Sequence, residues 1–253
     1  MKLLIWYVTG LILLPFGSLW AQNGTFSGEI KYQQITAFFD TTKKRLTPSV
    51  LLFRANQSLF VQGETVPLGT FVAPPKFDEL TSMAVFIDLT VQRMTSSQRA
   101  IGERWVVEDT LQTINWNIRN DETRQISKYK CLKAEGFTRG RKYTAWFTPE
   151  IPVPVGPWKL YGLPGLILEA ADSTGGVKFL LESITMPIAN EKEIVPPKSK
   201  LGRRVVNEVD FVKLRQENFD KMNKMTGTFP KPEGVVRSSS KVRIGSVEIF
   251  PDE

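Results

Sequence analysis

The fold is decided by residues 129–184, which read YKCLKAEGFTRGRKYTAWFTPEIPVPVGPWKLYGLPGLILEAADSTGGVKFLLESI. Residues 129–135 and 141–148 alternate between apolar and polar side chains, which is the period of a strand with one buried face. The segment between them, 136–140, carries a glycine at each end. We therefore predict a β-hairpin at this point.

A second hairpin is predicted directly downstream. Residues 166–171 and 177–184 are strand-like, and the turn between them contains Gly175 and Gly176, which can supply the positive φ angles of a tight turn. The other strand-like segments are 26–39, 50–53, 59–62, 83–91, 105–108, 114–118 and 242–250. Of these, 50–53 and 59–62 are spaced for a third hairpin.

Between the first two hairpins lies a proline-rich loop, residues 149–165. Each proline fixes its own φ and biases the preceding residue toward extended geometry, so the loop should be stiff. It is too apolar for a solvated connection, which leaves two alternatives: a lid packed on the core, or a recognition surface held out in solvent. We favour the lid, because burial of Trp158 alone removes about 200 Å² from water.

One helix is predicted, at about residues 207–226. Asn207 suits the N-cap and Asp210 the first turn, and Gly227 can end the helix. The apolar residues that recur near helical spacing are Val209, Val212, Phe219 and Met222. We expect this helix to cover the sheet, after a polar linker at about 191–204.

These patterns together predict a mainly β (β-rich α+β) fold. We expect a curved antiparallel sheet or half-barrel with a C-terminal covering helix and a proline-rich lid loop.

The N-terminus predicts export. Lys2 precedes an apolar run over residues 3–20, and small residues lead to Ala21, as in a secretory signal peptide. The predicted organisation is a signal peptide at 1–21 and a single β-rich domain at 22–253, in the periplasm or outside the cell. A retained anchor is the alternative, although a membrane span needs about 20 apolar residues and this run is marginal. No stable span is expected after cleavage.

The composition excludes several chemistries. The sequence contains no histidine and one cysteine, Cys131. Histidine-dependent triads, histidine zinc sites and an internal disulfide are therefore excluded within it. A lone cysteine in a strand is more typical of a small buried hydrophobe than of a nucleophile. We expect no catalytic residue, cofactor or metal, and no nucleic-acid partner, because the basic residues are spread along the chain in short groups.

Residues 162–167, Gly-Leu-Pro-Gly-Leu-Ile, carry a specific resemblance. They resemble the signature of the GLPGLI family of Bacteroidota envelope proteins, and flanking residues such as 156–159 agree with that family in order and spacing. The resemblance covers about residues 116–172. It implies an exported, β-rich protein with a single domain but brings no established activity. The residues to which we assign a structural role in this region are Gly156, Pro157, Gly162, Pro164 and Gly165.

Two classes of function remain. The one we favour is a non-catalytic binding module for a hydrophobic ligand or client. The alternative is an interaction protein that docks on an outer-membrane transport or secretion component through the 149–165 loop. The candidate binding residues are Trp146, Trp158, Tyr161 and Leu163. Exposure of Trp158 and Tyr161 would favour docking, and burial of both would count against it.

A third hypothesis is hydrolysis by paired carboxylates. The candidates are Glu135, Glu150, Glu169 and Asp172. The mechanism needs two carboxyl groups about 5 to 9.5 Å apart in a cleft. Surface salt bridges to Lys159 or Arg141 are the simpler explanation for Glu150 and Glu169.

Overall fold

The computed structural model describes residues 26–37, 42–100, 103–188, 193–199 and 205–228. These residues form thirteen strands and one helix, α1 (Glu208–Thr228). The strands are β1 (Ser27–Thr36), β2 (Arg45–Arg54), β3 (Gln57–Gln62), β4 (Val66–Pro67), β5 (Met83–Asp88), β6 (Arg93–Ala100), β7 (Glu103–Thr110), β8 (Asn117–Ile126), β9 (Tyr129–Thr138), β10 (Arg141–Thr148), β11 (Leu166–Asp172), β12 (Val177–Thr185) and β13 (Val205–Asn207).

All of these strands belong to one open sheet. Its order is β13-β7-β6-β5-β3-β2-β1-β12-β11-β10-β9-β8, and β4 pairs with β2. Neighbouring strands are antiparallel except β13 and β7, which are parallel. The predicted mainly β fold with an antiparallel sheet is therefore confirmed.

The sheet is curved, because its two ends approach each other. Arg139, in the turn between β9 and β10, donates a hydrogen bond to Asp109 of β7 at 2.7 Å. These strands lie near opposite ends of the strand order. A flat sheet of this order would hold them many strand spacings of about 4.8 Å apart.

All three predicted hairpins form, and the first turn is tighter than predicted. Thr138 pairs with Arg141, which leaves Arg139 and Gly140 as a two-residue turn with φ angles of 50° and 74°. Positive φ at both positions is type I′ geometry. Gly136 therefore lies within β9, where a Cβ would come 2.7 Å from the Trp116 ring.

The polar strands β6 and most of β8 are absent from the sequence prediction. β6 buries Ser96 and Ser97 in place of large apolar residues. The burial of Ser97 is tolerated because its hydroxyl accepts the Ala84 N–H and donates to the Ser82 carbonyl, both at 2.7 Å. β8 is an edge strand with mostly exposed side chains, so neither strand shows the expected alternation.

The proline-rich loop fills the inner face of the curved sheet, which confirms the lid interpretation. Its buried apolar residues are Ile151, Val153, Val155, Trp158, Leu160, Tyr161 and Leu163. They belong to the same core cluster as Tyr32 of β1, Phe60 of β3 and Met94 of β6. The principal core is therefore a layer of loop side chains enclosed by strands.

Helix α1 begins where predicted but packs through a different residue. Asn207 is its N-cap, because the Asn207 side-chain oxygen accepts the Asp210 N–H at 2.8 Å. Phe211 is fully buried against Ala100 and Val107, with Leu214 packed beside it. Val209, expected on the apolar face, is exposed. The described side chains of the helix pack on the β6–β7 end of the sheet, and the side chains of Phe219 and Met222 lie outside the described part.

Several sequence predictions fall outside the described residues. They are the signal peptide, the strand at 242–250 and both ends of the 191–204 linker. Among the residues that are described, no helix is long and apolar enough to cross a membrane.

Two glycines of the loop are required by geometry. Gly162 has a φ of 89°, which favours glycine. A Cβ on Gly165 would lie 2.2 Å from the Thr148 carbonyl oxygen and 2.7 Å from its carbon. Those atoms belong to the end of β10, so they cannot move aside like a flexible side chain.

We expect Gly165→Ala to lower the free energy of unfolding by about 3 kcal/mol, because β10 and the loop must separate to admit the methyl group. Chemical denaturation followed by circular dichroism measures this. The matched control is Gly176→Ala, where the nearest atom is the Thr174 hydroxyl at 3.1 Å and the expected loss is below about 1 kcal/mol. Equal losses for the two variants would contradict the steric explanation.

Candidate functional site

The four predicted binding residues lie in two environments. Trp158, Tyr161 and Leu163 are in the core, with exposed fractions of 6, 7 and 1%. Trp146 is half-buried on β10, and the guanidinium carbon of Arg124 lies 4.5 Å from its ring centroid. The four side chains share no open surface in this structure, and their role in binding stays a prediction.

Hydrogen bonds hold the loop in place from the β7–β8 connection. The Tyr161 hydroxyl donates to the Gln112 carbonyl at 2.7 Å. The Tyr161 carbonyl accepts the indole N–H of Trp116 at 2.8 Å. Burial raises the pKa of the Tyr161 phenol, so the hydroxyl keeps the proton that it donates. The structural residues assigned from the sequence, at 156, 157, 162, 164 and 165, all lie in this fixed segment.

An ionic cluster, which we define as Asp109, Arg139, Lys159 and Glu208, lies where the loop meets α1. Arg139 contacts Asp109 at 2.7 Å and Glu208 at 3.5 Å, and Lys159 Nζ lies 3.8 Å from Glu208. Lys159 is only 2% exposed. Glu208 compensates this charge in part. The cluster joins β7, the β9–β10 turn, the loop and α1.

The predicted salt bridges from Glu150 and Glu169 to Lys159 or Arg141 are wrong. Lys159 is buried and pairs with Glu208 instead of Glu150 or Glu169. The sequence could not show this, because Glu208 lies on the C-terminal helix, remote from Lys159 along the chain.

Each carboxylate considered for hydrolysis has a partner of its own. These partners are Arg124 for Glu169, Arg141 for Asp172, Lys142 for Glu135 at 3.2 Å, and the Lys130 N–H for Glu150 at 2.8 Å. The hydrogen bond from Lys142 lowers the pKa of Glu135. A general acid at neutral pH needs the opposite shift. These contacts explain the four carboxylates as structural or solvated groups.

Cys131 is fully buried in the principal core. Burial raises the pKa of its thiol to about 11. A buried, protonated thiol is a poor nucleophile. This confirms the interpretation of Cys131 as a small core hydrophobe.

An open site lies on the opposite face of the sheet. We call it the outer groove: a space of about 570 Å³ with a floor of Val50, Leu52 and Val61. The neighbouring residues Leu51 and Phe53 point into the inner core, as the alternation of a strand requires. Segment 74–77 forms a wall, and Phe77 packs on the apolar floor. Ligand pockets usually measure about 300 to 1,000 Å³.

The rim of the outer groove is charged, and a guanidinium group fixes its surroundings. The charged residues at the rim are Glu29, Lys31, Lys76 and Glu193. Arg104 donates to the carbonyls of Ser82, Glu79 and Lys198 at 2.9 to 3.1 Å. These bonds join the end of the loop that carries segment 74–77 to the segment 193–199. Both segments that line the groove outside the sheet are therefore tied to β7.

A second open site, which we call the inter-strand cleft, has a volume of about 410 Å³. It lies between residues 181–184 of β12 and residues 124–127 at the end of β8, with Glu169 of β11 beside them. Sequence reasoning identified neither open site. A signal for the outer groove was present in residues 50–53, where four consecutive apolar residues indicate a strand buried on both faces.

Part of this region matches the model of a described family. Residues 137–169 match the family model described as "Protein of unknown function (Porph_ging)". That family has no assigned function. The match covers the end of β9, all of β10, the proline-rich loop and the start of β11. No curated protein matches the chain.

Two solved structures resemble the fold. The structure of PNGF-II in the C2 space group has a TM-score of 0.50 at 15% identity and covers 76% of this chain. The structure of PNGF-II in the P21 space group has a TM-score of 0.49 at 14% identity over the same share. This chain spans only 33 and 34% of the length of those proteins. The similarity to the first concerns the fold alone.

We expect Lys159→Ala to lower the free energy of unfolding by about 1 to 3 kcal/mol, because it removes a buried ammonium group from beside Glu208, which keeps Arg139 as its other cation. Thermal and chemical denaturation measure the loss. The matched control is Lys142→Ala, whose side chain is 59% exposed and pairs on the surface, so its midpoint should hardly change. A Lys159 variant as stable as the control would show that Lys159 does not stabilise the fold through the cluster.

We expect the Cys131 thiol to resist labelling in the folded protein. At a pH of about 8 the raised pKa leaves about a hundredfold less thiolate than an ordinary thiol, and burial lowers access further. The measurement is the rate of reaction with 5,5′-dithiobis(2-nitrobenzoate), compared with the same protein in denaturant. Equal rates would mean that the core around β9 opens readily.

Proposed function

We propose that this chain is an exported, non-catalytic binding protein of the GLPGLI type that holds a hydrophobic ligand in the outer groove. The observation that carries the proposal is the combination of an apolar floor with a wall tied to β7. Val50, Leu52 and Val61 present the floor, and the bonds from Arg104 hold the surrounding segments. A preformed apolar pocket with a few polar groups at its rim is the usual form of a small-molecule site.

The exported location and the family are supported by the sequence. The apolar run at residues 3–20 is typical of a signal peptide. The GLPGLI motif at 162–167 lies inside the stretch that matches the family of unknown function. The location in the periplasm or outside the cell remains part of this proposal.

Among the described residues, the proline-rich loop occupies the inner face of the sheet. Trp158, Tyr161 and Leu163 are buried beneath the enclosing strands, so contact with a ligand would require the loop to leave the core. For the same reason, no contact favours docking on an envelope component through the 149–165 loop. We therefore assign binding to the outer groove and not to the residues that the sequence suggested.

The rim restricts the chemistry of the ligand. Lys31 and Lys76 border the apolar floor, so they can contact an anionic head group while the hydrocarbon part lies on Val50 and Leu52. Glu29 and Glu193 stand at the same rim and would oppose a second anionic group. The best fit is an amphiphile with one acidic end and a short apolar body, such as a fatty acid.

We expect Val50→Trp to weaken binding of a fluorescent fatty acid at least about tenfold, because the indole would project into the groove and occupy the ligand's place. Fluorescence titration gives the dissociation constant, and circular dichroism verifies the fold. The matched control is Val91→Trp, on an exposed turn away from the groove, which should bind as the unsubstituted protein does.

Native mass spectrometry of protein purified gently from its own envelope identifies the natural ligand. A mass excess that disappears on denaturation, and that Val50→Trp lacks, supports the proposal. Equal fatty-acid binding by both tryptophan variants would overturn the assignment to the outer groove.

A further inference from the structure

The inter-strand cleft is bounded by a strand edge. β11 and β12 pair only through Ala170 with Phe179 and Ala171 with Lys178. β12 continues to Thr185, and in the described part of the chain residues 180–185 have strand partners only in β1. Alternate residues of an antiparallel strand direct their N–H and C=O groups away from the partner. Alternate residues within 180–185 therefore have backbone donors and acceptors on the side away from β1, where residues 181–184 line the cleft.

The packed loop causes this early separation. Ile167 of β11 donates its N–H to the Val155 carbonyl at 3.1 Å. The Ile167 carbonyl accepts the Tyr32 hydroxyl at 2.6 Å. The backbone N–H and carbonyl groups of Ile167 are therefore bonded to the loop and to a β1 side chain. Because they do not pair with β12, β11 leaves this part of the β12 edge uncovered.

The cleft carries an exposed acidic group, Glu182. Arg124 and Glu169, which line it, form an ion pair with each other. Glu182 is exposed and makes no ion pair with any residue that the structure describes. The register of β1 and β12 shifts at Lys31 and Tyr32, so Glu182 has no opposite residue in β1. Such a bulge redirects a side chain away from the regular ladder.

The β12 edge differs from the outer edge of β8. β8 carries charged, exposed residues and its pairing with β9 is irregular between Arg119 and Thr123, which is how proteins discourage strand addition. The β12 edge lies instead within a cleft, across from residues 124–127. A recessed edge admits a single strand and not another sheet.

We propose that the inter-strand cleft is a site of strand addition for an extended peptide segment of a partner protein with a basic side chain. The peptide backbone bonds to residues 180–185 and supplies most of the affinity. A lysine or arginine of the peptide faces Glu182 and supplies the preference. This site shares no lining residue with the outer groove, so either proposal stands if the other fails.

The test uses a fluorescent synthetic peptide, Lys-Val-Thr-Val-Lys-Val, with blocked ends. We expect saturable binding by anisotropy and slower amide hydrogen exchange in residues 180–185 when the peptide is present. The same peptide with N-methyl groups on alternate residues lacks the ladder donors and should not bind. Replacement of both peptide lysines by glutamate should weaken binding about tenfold.

Two protein variants test whether Glu182 determines the charge preference for the peptide. Glu182→Lys should weaken binding of the basic peptide about tenfold and improve binding of the acidic one. Glu217→Lys, an equivalent reversal on the exposed side of α1, should change neither. Equal effects of both variants, or undiminished binding of the N-methylated peptide, would overturn the proposal. A further outcome would also overturn it. Residues 180–185 would be protected from amide hydrogen exchange without peptide and would lose that protection when residues 242–250 are deleted. The chain would then fill its own cleft.

Discussion

The structure depends on the packing of one irregular segment, the proline-rich loop, inside the curved sheet. A loop at this depth must satisfy its backbone groups without a regular ladder. It does so partly through short-range bonds, such as that from Gly165 to the Leu163 carbonyl at 2.8 Å, and partly through β11, where Leu166 donates to Ile151 and Ile167 to Val155. Prolines reduce the number of donors to be satisfied and restrict the unfolded chain. The loop can therefore act as a core layer.

The curvature of the sheet and the position of the ionic cluster follow from this layer. Strands that enclose a central layer must bend around it, which brings β7 close to the β9–β10 turn. Asp109 and Arg139 meet there, and Lys159 extends from the loop to Glu208 at the start of α1. Buried ion pairs contribute little net stability, but removal of one partner is costly. The cluster thus specifies one arrangement of the sheet ends, the loop and the helix.

The sequence predicted the elements that have strong local signals. Alternation located the hairpins, with glycines marking the turns of two of them, and Asn207 located the start of α1. The tight I′ turn at Arg139 and Gly140 was less visible, because Gly136 imitated a turn residue while its real constraint is the Trp116 ring. β6 was missed because a serine whose hydroxyl is fully bonded can replace an apolar residue in a buried strand. Lys159 pairs with Glu208, which is distant along the sequence and close only in the folded chain. No local sequence pattern indicates such a contact.

The same loop explains why the predicted binding residues and the open sites do not coincide. Aromatic residues in a proline-rich loop are natural candidates for ligand contacts, but here Trp158 and Tyr161 form part of the core. With the loop on the inner face, the two open sites described above lie on the outer face of the sheet and beside the strand edge of β12. A motif of glycines and prolines can therefore be essential to a fold while its side chains add nothing to the open surface. Its effect on the two proposed sites is exerted through the shape of the sheet.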